Sequence, residues 1–193
     1  MLIRFARGNA NRTTTDMTIP IADLARAYDA LHPETTDPWP FPPTASSIRR
    51  INEALSIQLP ASLIQFASVS SACHHWLASL GEDDDAHHHI LRMTSRTRRF
   101  RRRMLGGGGW EYVKPVAFVP INRGHDHDYD CLDADAFDPS TGEYAIQYWA
   151  PPRMFGTQRF DTFANYITSH IRAWAKHSRR PGSATALSIV GLG

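Results

Sequence analysis

The sequence is short of the features that mark several classes of protein. It has only two cysteines, Cys73 and Cys131, so a disulfide scaffold is not expected, although a single bridge stays open. No run of about eighteen apolar residues occurs, and the arginine-bearing start lacks the apolar stretch of a secretory signal. These absences predict a cytoplasmic protein that does not bind a membrane.

Neither sign of charge dominates, since the formal net charge is only +2. The charges are distributed unevenly, however, because acidic residues gather in 82–85 and 126–138 while seven arginines crowd one segment: Arg92, Arg96, Arg98, Arg99, Arg101, Arg102 and Arg103. The hydrophobic share of 42% is that of an ordinary globular protein. We therefore expect one core and a surface with patches of both signs.

Helical spacing marks the first part of the chain. Leu24, Tyr28 and Leu31 recur at i, i+4 and i+7, which is typical of an amphipathic helix. Thr18 is the predicted cap of this helix, and Pro20 fits its first turn. The proline-rich stretch that follows His32 predicts a linker, because proline removes a backbone donor.

Two short helices are predicted on either side of a Leu-Pro step. Ser46 or Ser47 is the predicted cap of the first, whose apolar face carries Ile51. Pro60 suits the first position of the second, whose face carries Phe66. Beyond residue 110 the pattern favours strands, of which "YDCLD" and "YAIQYW" are joined by the turn signals of "DPSTGE".

A last helix is predicted to begin near Asp161. Its apolar stripe consists of residues at helical spacing: Phe163, Tyr166, Ile167, Ile171 and Trp174. Helices, then strands, then one helix is the element order of an α+β protein and not of alternating βαβ units.

Four stretches in this order resemble the SUKH superfamily, which contains the fungal Smi/Knr regulators of cell-wall synthesis and many bacterial immunity proteins. They are "LSIQLPASLIQFASVSSA", "VAFVPINRGHDHDYDCLD", "GEYAIQYWAP" and "FDTFANYITSHI". The resemblance covers roughly residues 45–175, and the arginine–glycine segment 92–109 looks like an insertion in it.

The resemblance implies a single α+β domain, with N-terminal helices and a C-terminal helix packed on a twisted, mainly antiparallel sheet. It divides the chain into an N-terminal extension with one helix and a linker (1–44), a SUKH-like domain (45–177) and a flexible tail (178–193). It also implies protein binding without catalysis or cofactor, typically the neutralisation of a cognate toxin, often a nuclease.

The stretch "GHDHDYDCLD" (124–133) alternates carboxylates with other side chains. In a strand, Asp126, Asp128 and Asp130 share one face and the intervening residues take the other. A solvated hairpin face is the first interpretation, an acidic partner-binding patch the second and a metal site the third. Asp133 is expected to accept backbone N–H bonds in the turn.

The partner-binding candidates combine the two acidic clusters, part of the arginine run and one exposed aromatic. One of the neighbours Tyr148 and Trp149 must leave the buried face, and exposed aromatics anchor interfaces. The candidates are Asp126, Asp128, Asp130, Asp133, Trp149, Glu82, Asp83, Asp84, Arg98, Arg99, Arg101 and Arg102.

Two alternative functions stay open. The arginines of 92–103 resemble an electrostatic footprint for the phosphates of nucleic acid. A metal-dependent hydrolase would use His125, Asp126, His127 and Asp130. An enzyme is not expected, because no Ser, His and Asp set has a recognisable context and Cys73 lacks the signature of a nucleophile.

Overall fold

The computed structural model describes six stretches of the chain, residues 19–33, 43–73, 118–123, 129–149, 159–177 and 180–191. Within these stretches the chain forms five helices and one four-stranded antiparallel sheet. The α+β class predicted from the order of the elements is confirmed.

Three helices precede the sheet, and two follow it. The helices before it are α1 (Ile21–Ala30), α2 (Ala45–Leu55) and α3 (Ala61–Val69). The strands are β1 (Phe118–Arg123), β2 (Tyr129–Asp138), β3 (Glu143–Trp149) and β4 (Arg159–Phe160), which lie side by side in chain order. The closing helices are α4 (Phe163–His177) and α5 (Ser183–Ile189). No helix in the described stretches has the length and apolar character needed to span a bilayer.

Helix α1 begins directly after Pro20, whose carbonyl accepts the first helical bonds from Asp23 N at 2.9 Å and Leu24 N at 3.1 Å. Proline suits this place because the N–H that it lacks would have no helical partner there. The predicted cap, Thr18, lies outside the described residues. The predicted stripe of Leu24, Tyr28 and Leu31 is confirmed, since all three side chains are buried.

Helix α2 is capped by Thr44, and not by Ser46 or Ser47 as predicted. Thr44 Oγ1 accepts from Ser47 N at 3.1 Å, and Ser47 Oγ accepts from Thr44 N at 3.0 Å. Ser47 therefore takes the third helical position of a reciprocal capping box, where its hydroxyl reaches back to the cap. The helix ends at Ser56, whose left-handed φ of 55° turns the chain toward α3.

Helix α3 begins at Ala61, one residue after the Pro60 that was predicted to open it. Its end is tied to α1 by Asp29, whose carboxylate accepts from Ser70 Oγ at 2.6 Å, Ser71 N at 3.0 Å and Ala72 N at 3.1 Å. A carboxylate with two backbone donors and a hydroxyl donor holds a loop firmly because these bonds are charge-assisted.

Helix α4 begins at Phe163, two residues after the predicted start. Thr162 Oγ1 accepts from Asn165 N at 3.2 Å, and the buried Glu143 of β3 accepts from Phe163 N at 3.2 Å. A carboxylate is favourable there, since the N-terminus of a helix carries unsatisfied N–H groups and partial positive charge. Glu143 thus attaches the first turn of α4 to the sheet.

The core lies where α4 bridges the sheet and the other helices. The ring of Phe66 on α3 meets the edges of Tyr28 and Phe163 at centroid distances of 5.6 and 5.5 Å. The predicted stripe of α4 is buried, except that Trp174 is only partly covered. Both thiols are free, so the single disulfide bridge left open by the sequence does not form.

The C-terminal segment differs from the flexible tail expected over 178–193. Residues 183–189 form α5, which packs on α1 and α4. Ala186 and Val190 are fully buried, and Arg172 Nη2 donates to the Val190 carbonyl at 2.9 Å. The helix forms because its apolar side packs against α1 and α4. A short segment of small residues shows no clear helical periodicity, so the sequence did not predict it.

The boundary expected at residue 44 does not divide the packing of the described residues. Helix α1, assigned to an N-terminal extension, packs against α3, α4 and α5. Its Leu24, Tyr28 and Leu31 belong to the same core cluster as Ile146 of the sheet. The first helix is therefore an integral part of the domain.

Candidate functional site

The predicted acidic stretch belongs to a hairpin made of β2 and β3. Leu132 pairs with Ile146 and Phe137 pairs with Tyr144, so residues 133–136 of β2 lie opposite Ala145 alone. Extra residues on one strand bend it and re-aim its side chains. Asp130 and Asp133 lie up to and including the first residue of this bulge, and Asp135 and Asp138 lie beyond that residue.

Asp130 lies on the side of β2 that faces α4. Its Oδ2 accepts a hydrogen bond from the hydroxyl of the buried Tyr166 at 2.7 Å. The structure therefore differs from the solvated face expected for this carboxylate. The next residue, Cys131, takes the opposite face, as alternation in a strand requires, and it is fully buried, whereas Asp130 is only partly buried.

Asp133 stands at the start of the bulge and not in the hairpin turn. Its Oδ1 accepts from Asp135 N at 3.1 Å, and its Oδ2 accepts from Gln147 Nε2 on β3 at 3.0 Å. The expected role as an acceptor of a backbone N–H is confirmed, but the bond stabilises the bulge. Local bonds of this kind let an aspartate hold irregular backbone.

The turn itself is organised by Asp138. Its Oδ1 accepts from Ser140 N at 2.9 Å and from Ser140 Oγ at 2.6 Å, and its Oδ2 accepts from Thr141 Oγ1 at 2.9 Å. These bonds lower the pKa of Asp138, with the Ser140 hydroxyl as the largest cause. Gly142 closes the turn at a positive φ of 70°.

Phe137 is one of two large apolar side chains that are exposed in the described part of the chain, with 38% of its surface accessible. Its ring packs against Tyr144 at a centroid distance of 4.7 Å, and the Tyr144 hydroxyl accepts from Gln58 N at 3.2 Å. Asp135 and Asp138, both exposed, lie on either side of it in the chain. We call Asp135, Phe137 and Asp138 the hairpin patch.

Sequence reasoning missed Phe137, although a signal was present. A large aromatic directly before the Asp138-Pro139 turn signal stands near a hairpin end, where one side of the ribbon faces solvent. The alternation of the acidic stretch drew attention to residues earlier in the strand instead.

The two thiols of the described stretches are buried and have raised pKa values. Burial, followed by the charges of Asp130 and Asp133, raises the pKa of Cys131 well above its ordinary value. Burial and then Asp29 raise the pKa of Cys73 to about 12, so both thiols stay protonated at neutral pH. Within the described residues no group of three His, Cys, Asp or Glu side chains could hold a metal ion.

A second group of polar side chains lies between α1, α4 and the segment before α5. The ring of Trp174 is 4.9 Å from that of His32 and 5.6 Å from that of His170, and the guanidinium carbon of Arg180 is 5.6 Å from it. We call these four residues the His–Trp cluster. Nothing in the sequence pointed to it, because His32, His170 and Arg180 are distant in the chain and none belongs to a motif.

Most of the other partner-binding candidates lie outside the described residues. These are Asp126, Asp128, Glu82, Asp83, Asp84, Arg98, Arg99, Arg101 and Arg102, together with His125 and His127 of the metal alternative. Trp149 ends β3, where its backbone pairs with Tyr129. The described residues thus bring Asp130 and Asp133 onto one strand and leave the remaining candidates as predictions.

A search against models of protein families finds no match to this chain, and a search of curated proteins finds none either.

Proposed function

We propose that this chain is a SUKH-type protein-binding module without catalytic activity, and that it acts as an immunity protein by neutralising a cognate toxin. In support, α2 and α3 meet at the Leu59-Pro60 step, and the hairpin and α4 follow in the order that the sequence resemblance implies. The α+β architecture is compatible with that superfamily but is shared by many others, so the proposal depends on the surface.

The observation that carries the proposal is that Phe137 is exposed while its ring is held in place by Tyr144. A solvent-facing aromatic usually loses rotamer freedom when it enters an interface, and this loss opposes binding. Phe137 is already held against Tyr144, whose hydroxyl is bonded to the backbone of the α2–α3 loop. A preorganised aromatic of this kind is suited to fill a pocket on a partner.

The carboxylates around Phe137 favour a cationic partner. Asp135 and Asp138 are exposed, and the lowered pKa of Asp138 keeps it ionised well below neutral pH. A nuclease must present positive charge where it holds a phosphate backbone. An acidic patch with an aromatic at its centre can enter such a groove, accelerate the encounter and exclude the nucleic acid.

Asp130 and Asp133 have a structural role in this proposal and are not part of the binding surface. Asp130 and Asp133 are engaged by Tyr166 and Gln147, so they shape the hairpin that presents the patch. Asp126, Asp128, Glu82–Asp84 and Trp149 stay candidates for extending the contact.

The test uses the full chain as bait in a lysate of its native host, followed by co-expression with any toxin-like protein that it captures. We expect the unmodified chain to restore growth against that toxin. Phe137→Ser should abolish protection, and Asp135→Asn with Asp138→Asn should weaken it in a salt-dependent way. Capture of no toxin-like protein, together with no protection by the chain against toxins encoded beside it, would count against the proposal.

Matched controls separate the patch from general effects on the surface. Val69→Ser removes the other large apolar side chain that is exposed in the described stretches, which is 49% accessible and lies at the end of α3. Glu53→Gln with Asp161→Asn removes two exposed carboxylates that do not belong to the hairpin patch. Both controls should protect as well as the unmodified chain, and equal loss in controls and patch variants would remove the assignment to the hairpin.

Nucleic-acid binding through the arginines of 92–103 remains the second candidate, since seven arginines lie in or beside that segment. Each phosphate contact makes binding more sensitive to salt. Replacing Arg98, Arg99, Arg101 and Arg102 with serine should then abolish a salt-dependent mobility shift of duplex DNA or RNA. If the unmodified chain gives no shift at low salt, this candidate is eliminated.

A metal-dependent hydrolase at His125, Asp126, His127 and Asp130 is the third candidate. Its Asp130 already accepts the Tyr166 hydroxyl, which occupies one carboxylate oxygen. Elemental analysis of protein purified without chelator or metal-affinity resin would have to find stoichiometric metal for this candidate to stand.

A further inference from the structure

The segment before α5 is bonded to the end of α1 through one guanidinium group. Arg180 Nη1 donates to the Leu31 carbonyl at 3.1 Å and contacts His32 Nδ1 at 3.2 Å. An arginine side chain carries only donors and stays charged at every physiological pH. His32 Nδ1 must therefore accept, which requires a neutral imidazole with its proton on Nε2.

Protonation of His32 is incompatible with this contact. A protonated imidazole is a donor at both nitrogens, so Nδ1 would lose its acceptor lone pair and point an N–H at the N–H of Arg180. Two positive charges would then lie at hydrogen-bond distance where the His32 side chain is only 7% exposed. Little water is available to screen their repulsion.

Three other features of the docking of α5 involve no group that titrates near neutral pH. Gly182 approaches α1 so closely that a Cβ on it would lie 1.5 Å from the Ala30 carbonyl oxygen. Ala186 and Val190 are buried without charge, and the Arg172 bond to the Val190 carbonyl does not titrate. The contact between Arg180 and His32 differs from these three, because it includes an imidazole.

Other titratable groups reach this place from each neighbouring element. Burial is the main cause that lowers the pKa of His170 on α4. The charge of Asp130 on β2 acts to raise this pKa, and His32 lowers it further. The Tyr28 ring on α1 is 4.6 Å from that of His32, while Asp29 is bonded to the loop after α3. The lowered pKa means that His170 adds stability above about pH 6.5 and loses that contribution as the pH falls.

We propose that His32 and Arg180 form a pH-sensitive latch, in which protonation of His32 releases α5 from α1 and α4 while the rest of the domain stays folded. Histidine is the side chain whose charge changes between about pH 5 and pH 8. Release exposes the side of α1 that α5 covers. This inference rests on the packing of the C-terminal segment and is independent of any toxin.

Hydrogen–deuterium exchange of the full chain tests the latch. Protection factors, corrected for the intrinsic effect of pH on exchange, are compared at pH 7.5 and pH 5.0 for peptides covering 183–190, 45–55 and 143–149. We expect protection over 183–190 to fall roughly tenfold or more at the lower pH, and the other two peptides to lose clearly less, since only the global stability that depends on groups such as His170 affects them. Unchanged protection over 183–190, or an equal fall in all three peptides, overturns the proposal.

Variants assign the effect to its residues. His32→Asn keeps an acceptor near the position of Nδ1 and removes the titration, so protection should stay high at both values of pH. Arg180→Gln removes the facing charge and should also abolish the fall, which keeps the test valid if His32→Asn does not fold. A full fall that persists in Arg180→Gln overturns the latch.

Two further histidine variants complete the assignment. His177→Asn removes an exposed histidine at the end of α4 and should leave the fall in protection over 183–190 intact. His170→Asn should leave most of it, because the His170 ring contacts Trp174, whereas the guanidinium of Arg180 contacts His32. A fall abolished by either variant and retained in His32→Asn would assign the effect elsewhere and overturn the proposal.

Discussion

Both halves of β2 carry aspartates, but the aspartates of the two halves differ in their hydrogen-bond partners and their exposure. Residues 129–133 lie between β1 and β3, and there the carboxylates of Asp130 and Asp133 accept bonds from α4 and β3. Beyond Asp133 the described partner of β2 is β3 alone, and there Asp135 and Asp138 are exposed. Up to the first residue of the bulge the aspartates bond to side chains of other elements, whereas beyond it they are exposed, and Asp138 bonds within its own turn.

This difference shows why composition alone does not identify a binding surface. A carboxylate that accepts a hydroxyl from a buried tyrosine has exchanged water for a fixed donor, and a partner protein would have to break that bond to reach it. The carboxylates of Asp135 and Asp138 are exposed, and the bonds of Asp138 go to Ser140 and Thr141 of its own turn, so a partner can approach both without breaking a bond to another element. The hairpin patch is therefore more accessible to a partner than the carboxylates of Asp130 and Asp133.

The largest effect on stability is expected at Asp130. Asp130→Ala removes the acceptor of a charge-assisted bond from the hydroxyl of the buried Tyr166, and losing such a bond costs about 2 kcal/mol. We expect the free energy of unfolding in urea to fall by about that amount. A loss within the error of the measurement would mean that the two halves of β2 do not differ as described.

A smaller effect is expected at Asp133, whose partners are less buried. Asp133→Ala removes the acceptor of Asp135 N and of Gln147 Nε2, so the bulge loses its local support. Urea unfolding should show a loss of about 1 kcal/mol, with Gln147→Ala giving less because the backbone bond survives. Equal losses in both variants would indicate that the bond across the strands alone matters.

The turn should respond to pH through Asp138. Because its pKa is lowered in the fold, its bonds contribute stability above the ordinary aspartate pKa, and this contribution is lost as the pH falls through the folded value. An NMR titration of the Asp138 carboxyl should give a midpoint below the ordinary value. Ser140→Ala should move that midpoint upward more than Thr141→Ala does, and the reverse order would contradict the bonding described here.

The smallest effect on stability is expected at Asp135, which is exposed. Asp135→Asn should change the free energy of unfolding by no more than about 0.5 kcal/mol, as is usual for surface substitutions. It should nevertheless weaken protection against a toxin when combined with Asp138→Asn. Destabilisation as large as that of Asp133→Ala would place Asp135 with the structural carboxylates.

Much of the fold could be predicted because its signals are local. The stripes of α1 and α4 follow helical spacing, and Asp138-Pro139 and Thr141-Gly142 mark the hairpin turn within a few residues. The position of the cap of α2 was predicted wrongly because Thr44, Ser46 and Ser47 are all good caps, and only the capping box distinguishes them.

The rest depends on tertiary packing. The alternation of side chains in a strand predicted that Asp130 and Cys131 lie on opposite faces. It could not predict which face is buried, and in the structure both faces are covered, since Cys131 and Leu132 are both buried. Helix α5 forms because Gly182 fits against Ala30 and Val190 finds a buried site. The His–Trp cluster unites residues from α1, α4 and the segment before α5, which no local pattern connects.

The most direct test of the division of β2 is a double-mutant cycle between Asp130→Ala and Tyr166→Phe, measured by urea unfolding. If the Asp130 carboxylate is held by the Tyr166 hydroxyl, the two substitutions should be coupled by about 1 kcal/mol or more. Additive effects, with coupling indistinguishable from zero, would show that Asp130 faces solvent like the hairpin patch and would contradict the account.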